Sequence, residues 1–87
     1  MFTLRIERKV LKFIDSLREK ERVDILNKLR MLSENPFQNS FDIKKLKGIK
    51  GNCFRIRVNN YRILYEVISN ELLIIVFKAG HRKDIYN

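Results

Sequence analysis

Arg55 and Arg57 are separated by one residue inside Cys53-Phe54-Arg55-Ile56-Arg57-Val58, and apolar residues fill the alternate places. In a strand, side chains repeat every second residue. That puts the two arginines on one face, about 6–7 Å apart, with Phe54, Ile56 and Val58 on the other. A guanidinium offers paired, coplanar donors that match phosphate oxygens, and it stays charged at every accessible pH. Several of them together would stabilise the added negative charge of a pentacoordinate phosphorus. The plainer reading is a solvated sheet face. Against it, like charges in register repel one another unless an anion lies between them. Arg62 follows in Tyr61-Arg62-Ile63-Leu64-Tyr65, just after Asn59-Asn60. Its face depends on the register of the intervening turn, which the residues leave open. Arg82 lies beyond a third apolar segment.

The wider charge distribution points the same way. The chain of 87 residues carries 19 Lys and Arg against 10 Asp and Glu, for a net charge of +9. The excess is uneven: residues 1–42 hold nine basic and seven acidic residues, and residues 43–87 hold ten and three. Between Ile43 and Tyr65 stand seven basic residues and no acidic one. Such a field draws in phosphate polyanions and raises their association rate. Nucleic acid or an acidic partner is therefore expected.

Other chemistries are poorly served. The single Cys53 has no disulfide partner within the chain, and with the single His81 it cannot make a zinc site. No metal and no cofactor is expected. The N-terminus lacks a signal-like apolar run, and the stretch Leu72 to Phe77 is too short to span a bilayer. A cytoplasmic protein with no membrane partner is the expectation.

These residues need a frame. Phe2, Leu4 and Ile6 alternate with polar neighbours and predict a short strand. Val10, Phe13, Ile14 and Leu17 then recur at helical spacing and predict an amphipathic helix over 8–19. Ile25, Leu26, Leu29 and Leu32 predict a second helix over 22–34, stopped by Asn35-Pro36 because residues before proline avoid helical backbone. Residues 37–52 show no clean period and read as a loop. Three strands follow: Cys53 to Val58, Tyr61 to Ile68 and Glu71 to Lys78, joined at Asn59-Asn60 and Ser69-Asn70 and ended at Ala79-Gly80. The order is β-α-α-β-β-β. It predicts an α+β fold in one domain, 1–87, with a helical hairpin on one face of a small antiparallel sheet and the other face free.

Lys45-Leu46-Lys47-Gly48, the Cys53–Val58 strand, Tyr61-Arg62-Ile63-Leu64-Tyr65 and Gly80-His81-Arg82-Lys83-Asp84-Ile85-Tyr86 resemble the RelE/ParE toxin superfamily along essentially the whole chain. RelE-like members cut messenger RNA in the ribosomal decoding site, whereas ParE-like members share the fold and poison DNA gyrase. The resemblance implies a RelE-like microbial ribonuclease fold, a type II toxin–antitoxin system and a RelB-like antitoxin partner. It implies an active site on Arg55, Arg57, Arg62, Arg82 and Tyr86. All five places are suitably filled, which favours a ribonuclease over a gyrase poison. Two departures stand out: the strand arginines replace lysines of the best-known RelE, and the sequence stops one residue after Tyr86.

The implied reaction is metal-independent attack of a ribose 2′-OH on the adjacent phosphate. Arginine, with a pKa above about 12, is a poor proton acceptor. Tyr86 is therefore the expected general base, its phenol near pKa 10 being lowered by surrounding arginines. Arg57 and Arg62 would hold the scissile phosphate, and Arg82 would stabilise the transition state beside the leaving oxygen. Arg55, Lys45, Lys47 and Lys50 would grip flanking RNA or ribosomal RNA. His81 has a side chain suited to acid–base work, yet alternation sets it opposite Arg82 and favours a peripheral role. The rivals are a ParE-like gyrase poison, a non-catalytic RNA-binding module in which Tyr86 packs or stacks, and an inactive toxin.

Overall fold

A computed structural model describes residues 1–38, 41–81 and 83. Strand β1 (Thr3–Ile6) leads directly into helix α1 (Arg8–Asp15), and after a short turn helix α2 runs over Glu19–Glu34. Neither helix has a side-chain N-cap. Both are held chiefly by what their apolar faces bury, as short helices generally are. From α1 these residues are Val10 and Ile14; from α2 they are Ile25, Leu29 and Leu32. Leu26, expected on the same face, instead points outward. Asn35 ends α2 in extended backbone, with buried Pro36 next in line.

The sheet differs from expectation in three ways. The stretch read as a loop contains a short strand, β2 (Ile43–Lys45), paired antiparallel with β3 (Cys53–Val58). Three residues are too few to show a period. β4 (Tyr61–Ile68) follows β3 as foreseen, but β5 (Leu73–His81) runs straight through Ala79 and Gly80. Those residues pair with Ile63 and Arg62, so ladder hydrogen bonds along β4 outweigh the weak strand preference of glycine. Finally, β1 pairs parallel with β5, so the five-stranded sheet, ordered β1-β5-β4-β3-β2, is mixed rather than antiparallel. This pairing places the apolar β5 between β1 and β4, where Ile74 and Val76 are fully buried.

The helices cover the sheet face that carries Ile56, Val58, Ile63, Tyr65, Val67, Ile74 and Val76. Tyr65 is the largest side chain in this core, and its ring stacks on Phe54 at 5.6 Å. The β3–β4 turn is pinned to α2. Asn59 takes a left-handed φ of 56°, and its amide donates to Glu21 and Asp24 at 3.2 and 3.0 Å. Gly51, at φ 97°, lets the loop before β3 approach Glu66 so closely that a Cβ there would lie 2.7 Å from its carboxylate.

Candidate functional site

The turn register settles the place of Arg62. Val58 pairs with Tyr61, so Arg57 lies directly opposite Arg62, and Arg55 lies opposite Leu64. Directly opposed residues share a face, which puts Arg55, Arg57 and Arg62 together on the side away from the helices. Lys44 pairs with Arg55, and Lys78 pairs with Leu64, so both belong to the same face. Neither lysine is marked out by sequence spacing. Lys44 sits on a strand too short to recognise, and Lys78 is placed by a bulge between Leu64 and Tyr65. Gly80, opposite Arg62, presents no side chain to that surface.

The three arginines differ in setting. Arg55 is only 9% exposed, and its Nη1 donates to Asp42 Oδ1 at 3.2 Å. This burial sets Arg55 apart from the more exposed Arg57. A buried guanidinium needs a fixed counter-ion, and Asp42 supplies it. Arg57 reaches the other carboxylate oxygen of Asp42 at 3.5 Å but keeps 40% of its side chain in contact with solvent. Arg62 is partly buried, with its Nε out of contact with solvent. A partly buried cation lined up with an exposed one makes a graded surface that can meet a phosphate from one side.

The lysines divide. Lys45 lies opposite Phe54, on the other side of the sheet edge from the arginines. Its Nζ donates to Asn52 at 2.6 Å and lies 5.5 Å from the Phe54 ring centre. Lys47 and Lys50 are exposed in the loop before β3. His81 pairs with Tyr61, and its ring meets the Tyr61 ring edge-on at 5.2 Å. It therefore stands on the face opposite Arg62. Arg82 and Tyr86 lie outside the described residues.

Arg57 and Arg62 thus share one face of the sheet, and the helical hairpin covers the other. The model of the ParE toxin of type II toxin–antitoxin systems matches residues 2–86. The chain belongs to this RelE/ParE toxin superfamily. It is 30% identical, over 98% of its length and 94% of the relative's, to the RelE1 protein of Methanocaldococcus jannaschii. The fold agrees with the RelE–RelB complex of Pyrococcus horikoshii OT3 at a TM-score of 0.84 and 26% identity, covering 95% of this chain and 97% of that one. The RelB–RelE antitoxin–toxin complex from Methanococcus jannaschii matches at 0.74 and 31% identity, over 94% of both chains. The chain thus shares the superfamily's α+β architecture, two helices on a five-stranded mixed sheet. None of its described helices is long and apolar enough to cross a membrane.

Proposed function

We propose that this toxin is an endoribonuclease that cleaves messenger RNA on the ribosome and so stops translation. The observation that carries the reading is the cross-strand pair Arg57–Arg62 on the sheet face opposite the helices. Arginines at directly opposed strand positions can both offer guanidinium donors to the oxygens of one phosphate. The charge on that phosphate grows in the transition state, so the same donors bind the transition state more tightly than the substrate.

In the proposed reaction the ribose 2′-oxygen attacks the adjacent phosphorus and the bond to the 5′-oxygen breaks. Tyr86, as its phenolate, takes the 2′-OH proton, and the departing 5′-oxygen takes a proton from water beside Arg82. The products are a 2′,3′-cyclic phosphate, open to hydrolysis to a 3′-phosphate, and a 5′-OH end. Lys47 and Lys50 hold flanking RNA or ribosomal RNA from the exposed loop. The partner that restrains the toxin is a RelB-like antitoxin. The two solved relatives above are complexes with RelB, and a surface with this excess of positive charge suits an acidic segment.

A gyrase-poisoning activity is the second reading, because the matching family model bears the ParE name. A translation reaction separates the two. Added toxin is expected to cut mRNA within translated codons. Intact mRNA together with loss of gyrase supercoiling would establish the second reading, and RNA binding with neither effect would leave a non-catalytic module.

A further inference from the structure

Asp42 touches the arginine site at three points. Its Oδ1 accepts from Arg55 at 3.2 Å, its Oδ2 lies 3.5 Å from Arg57 Nη1, and its backbone carbonyl accepts the Arg57 N–H at 3.1 Å. It is also the last acidic residue before the run of seven basic residues that ends at Tyr65. Its own side chain is 54% exposed, so the carboxylate stands at the rim of the site. A guanidinium has five N–H donors, and Asp42 engages only one edge of Arg57. Arg57 keeps 40% of its side chain exposed to solvent beside that contact.

We propose that Asp42 is a positioning residue of the nuclease site: it trades electrostatic attraction for RNA against a fixed orientation of Arg57. The proposal rests on the ribonuclease reading above. A negative charge at the rim weakens the pull on any polyanion. The same charge restricts the rotamers of an otherwise long, mobile side chain, and orientation of a catalytic group is worth large rate factors. The two effects act on different kinetic constants. Charge governs how tightly RNA binds in the ground state, whereas orientation of Arg57 matters most when phosphorane charge develops.

The test is steady-state cleavage by Asp42→Asn, which keeps the shape and removes the charge. KM is expected to fall several-fold at low salt, consistent with a stronger local field. kcat is expected to fall about tenfold, from loss of the fixed guanidinium. In an Arg57→Ala background the same change should leave kcat unaltered. Loss of Asp42 also strips Arg55 of its counter-ion, so the comparison is repeated between Arg55→Met and Arg55→Met/Asp42→Asn, where no buried charge is left unpaired. A kcat that falls equally without Arg57, or a KM that rises, overturns the proposal. Equilibrium binding to a non-cleavable single-stranded RNA separates the two claims. If the wild type does not cleave, the ribonuclease reading fails while tighter binding by Asp42→Asn still upholds the charge role. If the wild type cleaves and Asp42→Asn binds no more tightly, only the Asp42 proposal fails.

Discussion

Arg57 and Arg62 face each other across β3 and β4, one residue pair inside the Asn59-Asn60 turn. The Arg57 N–H is committed to Asp42 on the β2 side. The pair is therefore of the non-hydrogen-bonded kind, in which Cα atoms approach to about 4.5 Å and side chains are closest. Two cations in that position do little for the fold. Arg57→Gln is expected to change the unfolding midpoint little, since the ion pair it loses with Asp42 is long and solvent-exposed. The same variant should lose roughly a hundredfold or more in RNA cleavage, the cost typical of removing one transition-state donor. Thermal unfolding and cleavage measured on the same preparations check this. Parallel losses of stability and activity would point to a structural residue.

Arg55 is the opposite case. Because it is buried against Asp42, Arg55→Ala is expected to destabilise the protein by about 1–3 kcal/mol through lost packing and pairing. Lys47→Ala and Lys50→Ala change exposed loop positions and should shift stability by no more than about 0.5 kcal/mol. Each should reduce the salt slope of single-stranded RNA binding by roughly 0.7. Denaturant titration and binding across a salt series distinguish the two classes.

The β3–β4 turn offers a pH test. Hydrogen bonds from Asn59, then from Lys20, hold the Asp24 carboxyl below its ordinary value of 3.8. A carboxyl held low in the folded state adds stability above the unfolded value, and that stability is lost as pH falls through the folded one. Asn59→Ala should move the Asp24 titration back up toward 3.8 and flatten this part of the stability profile. The carboxyl chemical shift, followed from pH 2 to 6, reads it directly.

Tyr65 makes the contrasting prediction at high pH. Burial raises its phenol well above the ordinary value of 10. Its hydroxyl donates to the Pro36 carbonyl at 3.4 Å, a long bond. The folded chain holds this proton more firmly than the unfolded chain, so stability is complete below pH 10 and falls as pH rises beyond it. Tyr65→Phe should cost no more than about 1 kcal/mol and should flatten that alkaline decline. Phenolate absorbance at 295 nm should show the Tyr65 signal only on unfolding.

Much of this arrangement was legible in the residues. Alternation along Cys53–Val58 placed Arg55 and Arg57 on one face, and proline after Asn35 ended α2, as the structure has it. The rest depends on tertiary pairing. The face of Arg62 follows from turn register, which a two-residue Asn-Asn turn leaves ambiguous until the strands pair. The burial of Arg55 follows from Asp42, thirteen residues away and just before a strand too short to show a period. The parallel pairing of β1 with β5 joins the two ends of the chain, and local patterning carries no trace of it. The passage of β5 through Gly80 is likewise decided by its partner strand.

On the proposed reading, the Arg57–Arg62 pair serves transesterification of RNA. The most direct measurement is single-turnover cleavage of mRNA on programmed ribosomes by the wild type and by Arg62→Ala, with the new ends analysed chemically. The wild type is expected to leave 5′-OH ends and 2′,3′-cyclic or 3′-phosphate ends, and the variant to lose at least about a hundredfold in rate. Ends bearing a 5′-phosphate, or undiminished cleavage by Arg62→Ala, would contradict it.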